Sequence, residues 1–340
     1  MPELRQNRVT KEWVVIATER AKRPDQMVQK KEAKPAEPYS ATCPFCAGNE
    51  HLAPPEIMRL PADNDGGWRV RVIPNKFSAL AREGQPTRQV QQSRRTVYAV
   101  GLHDVLVETP DHSLTPALLP ESHVVDIVRA YKARHDAAIA DSRIAHVILF
   151  KNHGSAAGAS LEHAHSQMIA TPVVSSQVRA RMYEAVRHYD EFGECIFCQI
   201  MDEELTEGTR VVLTTDHFTA LVPFASPSPF NLHIFPRRHM ATFGAANDAE
   251  LEDLGRVLKT ILGKLYVGLE NPDFNYTVRS GPVGSEGEPY FHWYISVIPR
   301  LTKVAGFELG TGMFINTVLP EAAAEFLRNV NVDSLPGFGQ

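Results

Sequence analysis

The sequence predicts an α+β protein built as two tandem domains, residues 1–175 and 176–340, each an antiparallel sheet with flanking helices. Three observations lead there. The same series occurs twice along the chain: a CxxC pair, several strands, one amphipathic helix, then a strand opening on a histidine. The connections between β-prone runs are mostly short, which favours antiparallel pairing over strand-helix-strand crossovers. No Gly-rich phosphate loop of the doubly wound or P-loop kind interrupts the series.

The elements follow in order. The first forty residues mix charge with proline ("RAKRPDQMVQKKEAKPAEPYSAT") and predict an extended polar segment on the surface, outside the core. After "CPFC", strands are expected in "WRVRVIPNKFSAL", "RRTVYAVGLHDVLVET" and "AHVILFKNHG", with a helix over "LPESHVVDIVRAYKARHDAAIADS". A linking helix, "SSQVRARMYEAVRHYDEFGE", should end before Gly193 and deliver the chain to "CIFC". The series then repeats with strands in "TRVVLTTDHFTALVPF" and "FNLHIFPRRH", a helix over "DAELEDLGRVLKTILGKLYVGL", and strands in "NYTVRS" and "YFHWYISVIPR".

Composition narrows the function. A chain of 340 residues with 43% hydrophobic and 22% charged residues is an ordinary globular one, and no apolar run approaches the roughly 18–20 residues of a membrane helix. The polar N-terminus lacks the apolar stretch of a secretory signal, so a cytoplasmic protein is expected. A net charge of −5 argues against bulk electrostatic binding of nucleic acid, and the partner is expected to be a small molecule. In a reducing compartment four cysteines arranged as two CxxC pairs read as metal ligands or redox centres rather than disulfides.

Two thiolates two residues apart can occupy one side of a tetrahedral zinc, with two distant ligands closing the site. Cys43 and Cys46 find candidates in His112 and His163; Cys195 and Cys198 find them in His239 and His292. The paired histidines are 51 residues apart in the first half and 53 in the second, whereas the cysteine-to-histidine intervals differ, which fits a loop insertion in the first half. A lone CxxC could be a redox pair; the duplicated pattern points to two structural zinc ions in closed sites.

The halves diverge two residues beyond the last presumed ligand, where the first has His165 and the second Tyr294. Residues i and i+2 of a strand project to one side, so a metal bond at His163 would aim His165 at a neighbouring ligand. A neutral imidazole attacks phosphorus well when its other ring nitrogen is tied to a carbonyl. Gly154 and Gly158 permit close backbone approach, and Ser160 and Gln167 offer a hydroxyl and an amide. His165 is therefore the candidate nucleophile, against the plainer reading of a satisfied core histidine. The remaining histidines are read as structural, with His103 and His153 nearest to segments of interest.

The stretch "FKNHGSAAGASLEHAHSQ" resembles the galactose-1-phosphate uridylyltransferase family, a branch of the histidine-triad superfamily. "RQNRVTKEWVVIATERAKRPDQ", "CPFCAGNE", "RVIPNKFSAL" and "GFELGTGMFIN" are similar to further segments of that family, so the likeness covers most of the chain. The resemblance implies two histidine-triad-like domains, usually in a homodimer whose sites draw residues from both subunits. It implies zinc on Cys43, Cys46, His112 and His163, and a covalently nucleotidylated His165. It also implies substrate contacts from Arg20, Arg23, Asn75, Asn152, Gly158, Ser160, Gln167 and Glu308.

Two departures bear on substrate. The family's usual His-Pro-His is His163-Ala164-His165 here, which keeps both imidazoles. The second CxxC, together with His292-Trp293-Tyr294, resembles members that act as ADP-glucose phosphorylases. The expected chemistry is ping-pong nucleotidyl transfer from a nucleoside diphosphate sugar to a sugar 1-phosphate, of the UDP-glucose:hexose-1-phosphate type. The alternatives are an ADP-sugar phosphorylase using inorganic phosphate, a histidine-triad hydrolase using water, and, from another class, a zinc-stabilised nucleic-acid-binding module.

Overall fold

The computed structural model describes residues 1–17, 19, 37–62 and 67–338. Its main feature is one ten-stranded sheet. In chain order the strands are β3 (Met58–Pro61), β4 (Trp68–Pro74), β7 (Leu102–Val107), β8 (His146–His153) and β9 (His165–Thr171) from the first half. The second half supplies β10 (Val211–Thr214), β11 (Phe218–Leu221), β12 (Leu232–Pro236), β13 (Phe274–Arg279) and β14 (Tyr294–Pro299). Their spatial order is β10-β11-β12-β14-β13-β8-β9-β7-β4-β3, with every neighbouring pair antiparallel. The order reads the same way outward from its centre: β13 answers β8, β14 answers β9, and so on to the edges. The halves join where β8 pairs with β13, Asn152 opposite Asn275 and Phe150 opposite Thr277.

Alternation along the strands separates two faces. One carries Val70, Val72, Leu106, Val147, Leu149, Met168, Tyr276, Ile295 and Val297, all buried in a hydrophobic cluster shared by both halves. Helices α1 (Glu121–Ile139) and α4 (Asp248–Gly268) cover it. They approach so closely at Gly255 that a β-carbon there would lie 2.8 Å from Val125 Cα. α4 starts in a capping box, Asn247 with Glu250, which answers two otherwise orphaned amides. The other face carries the CxxC segments, with α2 (Ser176–Phe192) and α3 (Ile196–Glu207) on the second-half side. α2 ends on left-handed Gly193 (φ 75°), the stop expected from the sequence.

Three expectations are corrected. The start of the chain is not an extended surface segment: β1 (Glu3–Gln6) and β2 (Trp13–Ile16) form a hairpin, joined in parallel by β15 (Phe314–Asn316), and Val14 and Ile16 are buried, while 20–36 of the expected segment lie outside the described residues. The short apolar run "WVVI" outweighs the flanking charges. The run at 94–109 is two strands, because β6 (Arg94–Val97) leaves the main sheet to pair with β5 (Arg88–Gln91) in an exposed hairpin. Finally, His163 and His292 stand just before β9 and β14 rather than within them. The short helices α5 (Gly306–Thr311) and α6 (Pro320–Asn329) complete the chain.

Candidate active site and two metal clusters

Each CxxC meets the histidines expected for it. Cys46 Sγ lies 3.5 Å from His112 Nδ1 and 3.6 Å from His163 Nδ1, and Cys43 Sγ lies 3.6 Å from His163 Nδ1. In the second half Cys198 Sγ is 3.3 Å from both His239 Nδ1 and His292 Nδ1, with Cys195 in the same cluster. A tetrahedral ion with bonds of roughly 2.3 Å to sulfur and 2.0–2.1 Å to nitrogen separates such ligands by about 3.6 Å, so both sets fit a metal ion. His163 donates its Nε2 proton to Thr109 O (2.7 Å), and His239 donates its own to Glu288 O (3.1 Å), leaving each Nδ1 lone pair for a metal. Asn49 braces the first knuckle, donating to Ser40 O and Cys43 O at 2.9 Å.

His165, the first residue of β9, is 6% exposed, and its ring packs 5.3 Å from that of Phe45, the internal aromatic of the first knuckle. Its Nδ1 lies 2.8 Å from His163 O; a carbonyl only accepts, so the ring proton is on Nδ1 and the Nε2 lone pair is free. No hydrogen bond reaches Nε2 from the described residues. Burial, reinforced by the Lys151 ammonium, holds this imidazole below its ordinary pKa and keeps it neutral. Metal cluster and histidine are thus coupled through one peptide: His163 is fixed through its ring, and its carbonyl orients His165.

Gln167 follows on the same face of β9. Ala79 N–H donates to His103 Nδ1 (3.2 Å), so His103 Nε2 donates to Gln167 Oε1 (2.8 Å); Asn75 joins them, with Nδ2 3.4 Å from that oxygen. Extending the β8–β9 register by one residue sets Asn152 beside His165, and Asn152 Oδ1 accepts from Asn275 Nδ2 (2.7 Å). Gly158 adopts φ +85°, where glycine is the natural occupant, and Ser160 is exposed two residues on. Asn75, Asn152 and Gln167 therefore gather around His165, with Gly158 and Ser160 in the loop leading to it. Glu308 does not join them: it caps α5, accepting from Ala305 N, and the following β15 is anchored to the second half by Asn316 Nδ2 donating to Ser226 O (2.9 Å). Arg20 and Arg23 lie outside the described residues.

Comparison with known proteins decides the family. A family model described as "Galactose-1-phosphate uridyl transferase, N-terminal domain" matches residues 1–175, and one described as a domain of unknown function (DUF4921) matches residues 101–332. The ADP-glucose phosphorylase of Arabidopsis thaliana is 38% identical over 97% of this chain and 93% of its own length. The chain belongs to the galactose-1-phosphate uridyl transferase family. As a member it is a nucleotidyltransferase enzyme. The galactose-1-phosphate uridylyltransferase of Thermotoga maritima is 29% identical over 98% of this chain and 100% of its own length. Among solved structures, an Arabidopsis thaliana ADP-glucose phosphorylase with bound ADP-glucose superposes with a TM-score of 0.83 at 36% identity, covering 98% of this chain and 99% of that one.

One buried group behind the candidate site was not foreseen from the sequence. Beneath His165, on the helix-covered face, Glu108, Lys151, Ser166, Tyr131 and Tyr276 form a buried network. Lys151 bonds the Glu108 carboxylate and donates to His165 O (3.1 Å), while Tyr131 donates to Glu108 Oε1 (3.1 Å). The paired charges and the Ser166 hydroxyl fix the backbone of β9 from behind. A signal existed: Lys151 shares its parity with Val147 and Leu149, so a lysine stood in the apolar phase of the strand and required a buried counter-ion.

Proposed function

We propose that this enzyme transfers a nucleotidyl group from a nucleoside diphosphate sugar to a phosphate-bearing acceptor through a nucleotidyl-His165 intermediate. The observation that carries the proposal is the His165 ring: neutral, tied through Nδ1–H to His163 O, with Nε2 free. Nε2 attacks the α-phosphorus; the bond to the bridging oxygen breaks and the sugar 1-phosphate leaves. An oxygen of the second acceptor then attacks the same phosphorus and regenerates the imidazole. Formation of the phosphorus–nitrogen bond puts positive charge on the ring, which the His163 carbonyl stabilises. The Gln167 and Ser160 side chains are suited to the phosphate oxygens, with Arg20 and Arg23 assigned the same task by family likeness. Asn75 and Asn152 are read as further substrate contacts.

Zinc is the ion we assign to both clusters, on the strength of two thiolates and two imidazoles at tetrahedral spacing. With four protein ligands these sites are closed, and their contribution is to hold the knuckles against the sheet. The division into domains at 175/176 belongs to the same reading, supported by the matched order of elements in the two halves. A homodimer is supported by exposed apolar side chains at Phe77, beside Asn75, and at Phe307 and Leu309, beside Glu308. Glu308 would then serve the site of a second copy. The cytoplasm is the proposed compartment; among the described residues no helix is long and apolar enough to cross a membrane.

Family membership supports UDP-glucose and a hexose 1-phosphate as the substrates. A second reading, ADP-glucose with inorganic phosphate, is favoured by the 38% identity to a phosphorylase and by the complete second Cys/His cluster. Assaying UDP-glucose with galactose 1-phosphate against ADP-glucose with phosphate separates them. His165→Ala should fold, keep its metal and lose all labelling by α-³²P nucleotide sugar; turnover retained in that variant would refute the covalent mechanism.

A further inference from the structure

The sheet's mirrored strand order gives the nucleophile cleft a counterpart in the second half. β14 answers β9, and His292 answers His163, so Tyr294 occupies the place of His165 and Ser296 that of Gln167. Phe197, inside the second knuckle, packs 5.8 Å from the Tyr294 ring, as Phe45 packs against His165. Across the next strand Arg279 pairs with Tyr294, in the position that Asn152 holds beside His165. The second half has lost the nucleophile and gained a cation.

This counterpart is hollow. A cavity of about 310 Å³ lies over β11, β12 and β14, walled by Phe197, Leu221, Phe224, His233, Phe235 and Tyr294. That volume stands at the lower end of the roughly 300–1,000 Å³ of small-molecule pockets, room for a heterocycle and a ribose. Apolar and aromatic walls dominate, yet the His233 ring and the Tyr294 hydroxyl have no hydrogen-bond partner among the described residues. The charged groups at the rim neutralise one another, Arg8 with Glu203 and Arg210 with Glu204 and Glu207.

Arg279 and Arg181 behave differently. Neither forms an ion pair with a carboxylate among the described residues, and the Nε of each is buried without an acceptor. Burial first, and then the two guanidinium charges, favour the neutral form of the His233 ring. Neither lines the cavity itself: Arg279 flanks it one strand beyond Tyr294, and Arg181 Nη1 donates to Gln177 O (3.1 Å). Two partly desolvated guanidinium groups without a carboxylate thus stand past the aromatic wall and suit an anion attached to a planar ring system.

We propose that this mirrored cleft is a second, non-covalent site for a nucleoside phosphate, its heterocycle among Phe197, Phe235 and Tyr294 and its phosphate on Arg279 and Arg181. A tyrosine in place of the imidazole leaves the bound nucleotide chemically intact, so occupancy here is reversible while His165 turns over. The proposal stands apart from the choice of transfer substrate and from the covalent mechanism.

Equilibrium dialysis of the metal-loaded full-length protein against radiolabelled AMP and UMP tests it. Two equivalents per chain are expected for at least one of them. Arg279→Ala and Arg181→Ala should each weaken one equivalent at least tenfold, leaving the other and the initial rate of nucleotidyl transfer unchanged. Arg181 lies on a partly exposed helix face, which keeps the test readable if the sheet variant fails to fold. Saturation at one equivalent, or two equivalents indifferent to the arginine substitutions, would overturn the proposal. Inorganic phosphate displacing the second equivalent as effectively as AMP or UMP would also overturn it, by reducing the site to an anion patch.

Discussion

A histidine acts as a nucleophile only while one ring nitrogen carries neither a proton nor a partner, and at His165 that condition is built into the backbone. Nδ1–H is held by His163 O, and burial first, then Lys151, lowers the ring's affinity for a proton. The neutral form is therefore populated at every pH above a value below 6.5, so the rate of nucleotidylation in a single turnover should be level from pH 7 upward and fall only under acid conditions. A half-maximal rate above pH 7 would contradict this. Gly154 offers a second test at the same scale. Its φ is +81°, and a β-carbon would lie 1.9 Å from Asp273 Oδ1, while Asp273 Oδ2 accepts from Ala156 N (2.7 Å). Gly154→Ala combines backbone strain of about 1 kcal/mol with displacement of that carboxylate, and should lower the urea midpoint and reduce kcat/KM together. The sequence distinguished His163 from His165 because the second half keeps one imidazole and replaces the other. It was silent on Glu108 and Tyr276, whose roles exist only once distant strands bring them under Ser166.

At the level of elements, the two knuckles are similar in sequence but unequal in support. His163 has Thr109 O behind it, whereas His292 Nε2 is buried with no acceptor among the described residues, and Cys198 and His239 are more exposed than their counterparts. Loss of such an outer hydrogen bond typically lowers metal affinity 10–100-fold. Competition with a chelator should therefore empty the Cys195–Cys198 cluster first, read as two resolved phases of release with a metallochromic dye. The faster phase should disappear in His239→Ala; its survival would reverse the assignment. The ligand sets were legible because CxxC spacing and the repeated histidine interval are local and periodic. The N-terminal hairpin and β15 were not, since β15 is three residues long and gains its identity from pairing with β2. The exposed β5–β6 hairpin was likewise hidden, because its alternation continues into the run that becomes β7.

Across the whole molecule one apolar core serves both halves; His123, His135 and His146 are buried, and His233 stands in the wall of the second-half cavity. Burial keeps His123, His135 and His146 below their ordinary pKa and pushes His233 down to about 3. In unfolded chain these rings take up protons near pH 6.5, so between that pH and their lower folded values unfolding binds protons. Stability is therefore full above about pH 6.5 and declines as the solution is acidified, by at most about 1.4 kcal/mol per pH unit for each ring. The urea midpoint should drop between pH 7.5 and 5.5, and His233→Gln should flatten the drop by as much as one proton; an equal slope in the variant would exclude His233 as a contributor. The tandem α+β organisation was readable from the repeated series, but the fusion of two sheets into one was not, because β8 and β13 each look like ordinary strands until their edges meet.

That central seam also governs how the protein assembles. Freed from one another, β8 and β13 would each present an open edge to other chains, a template for aggregation. Carrying both edges on one polypeptide replaces a meeting between separate molecules by an encounter within a tether, at an effective concentration on the order of millimolar. The seam closes equally well in dilute and in crowded solution, and β9, paired directly with β8, inherits a foundation indifferent to how much protein the cell makes.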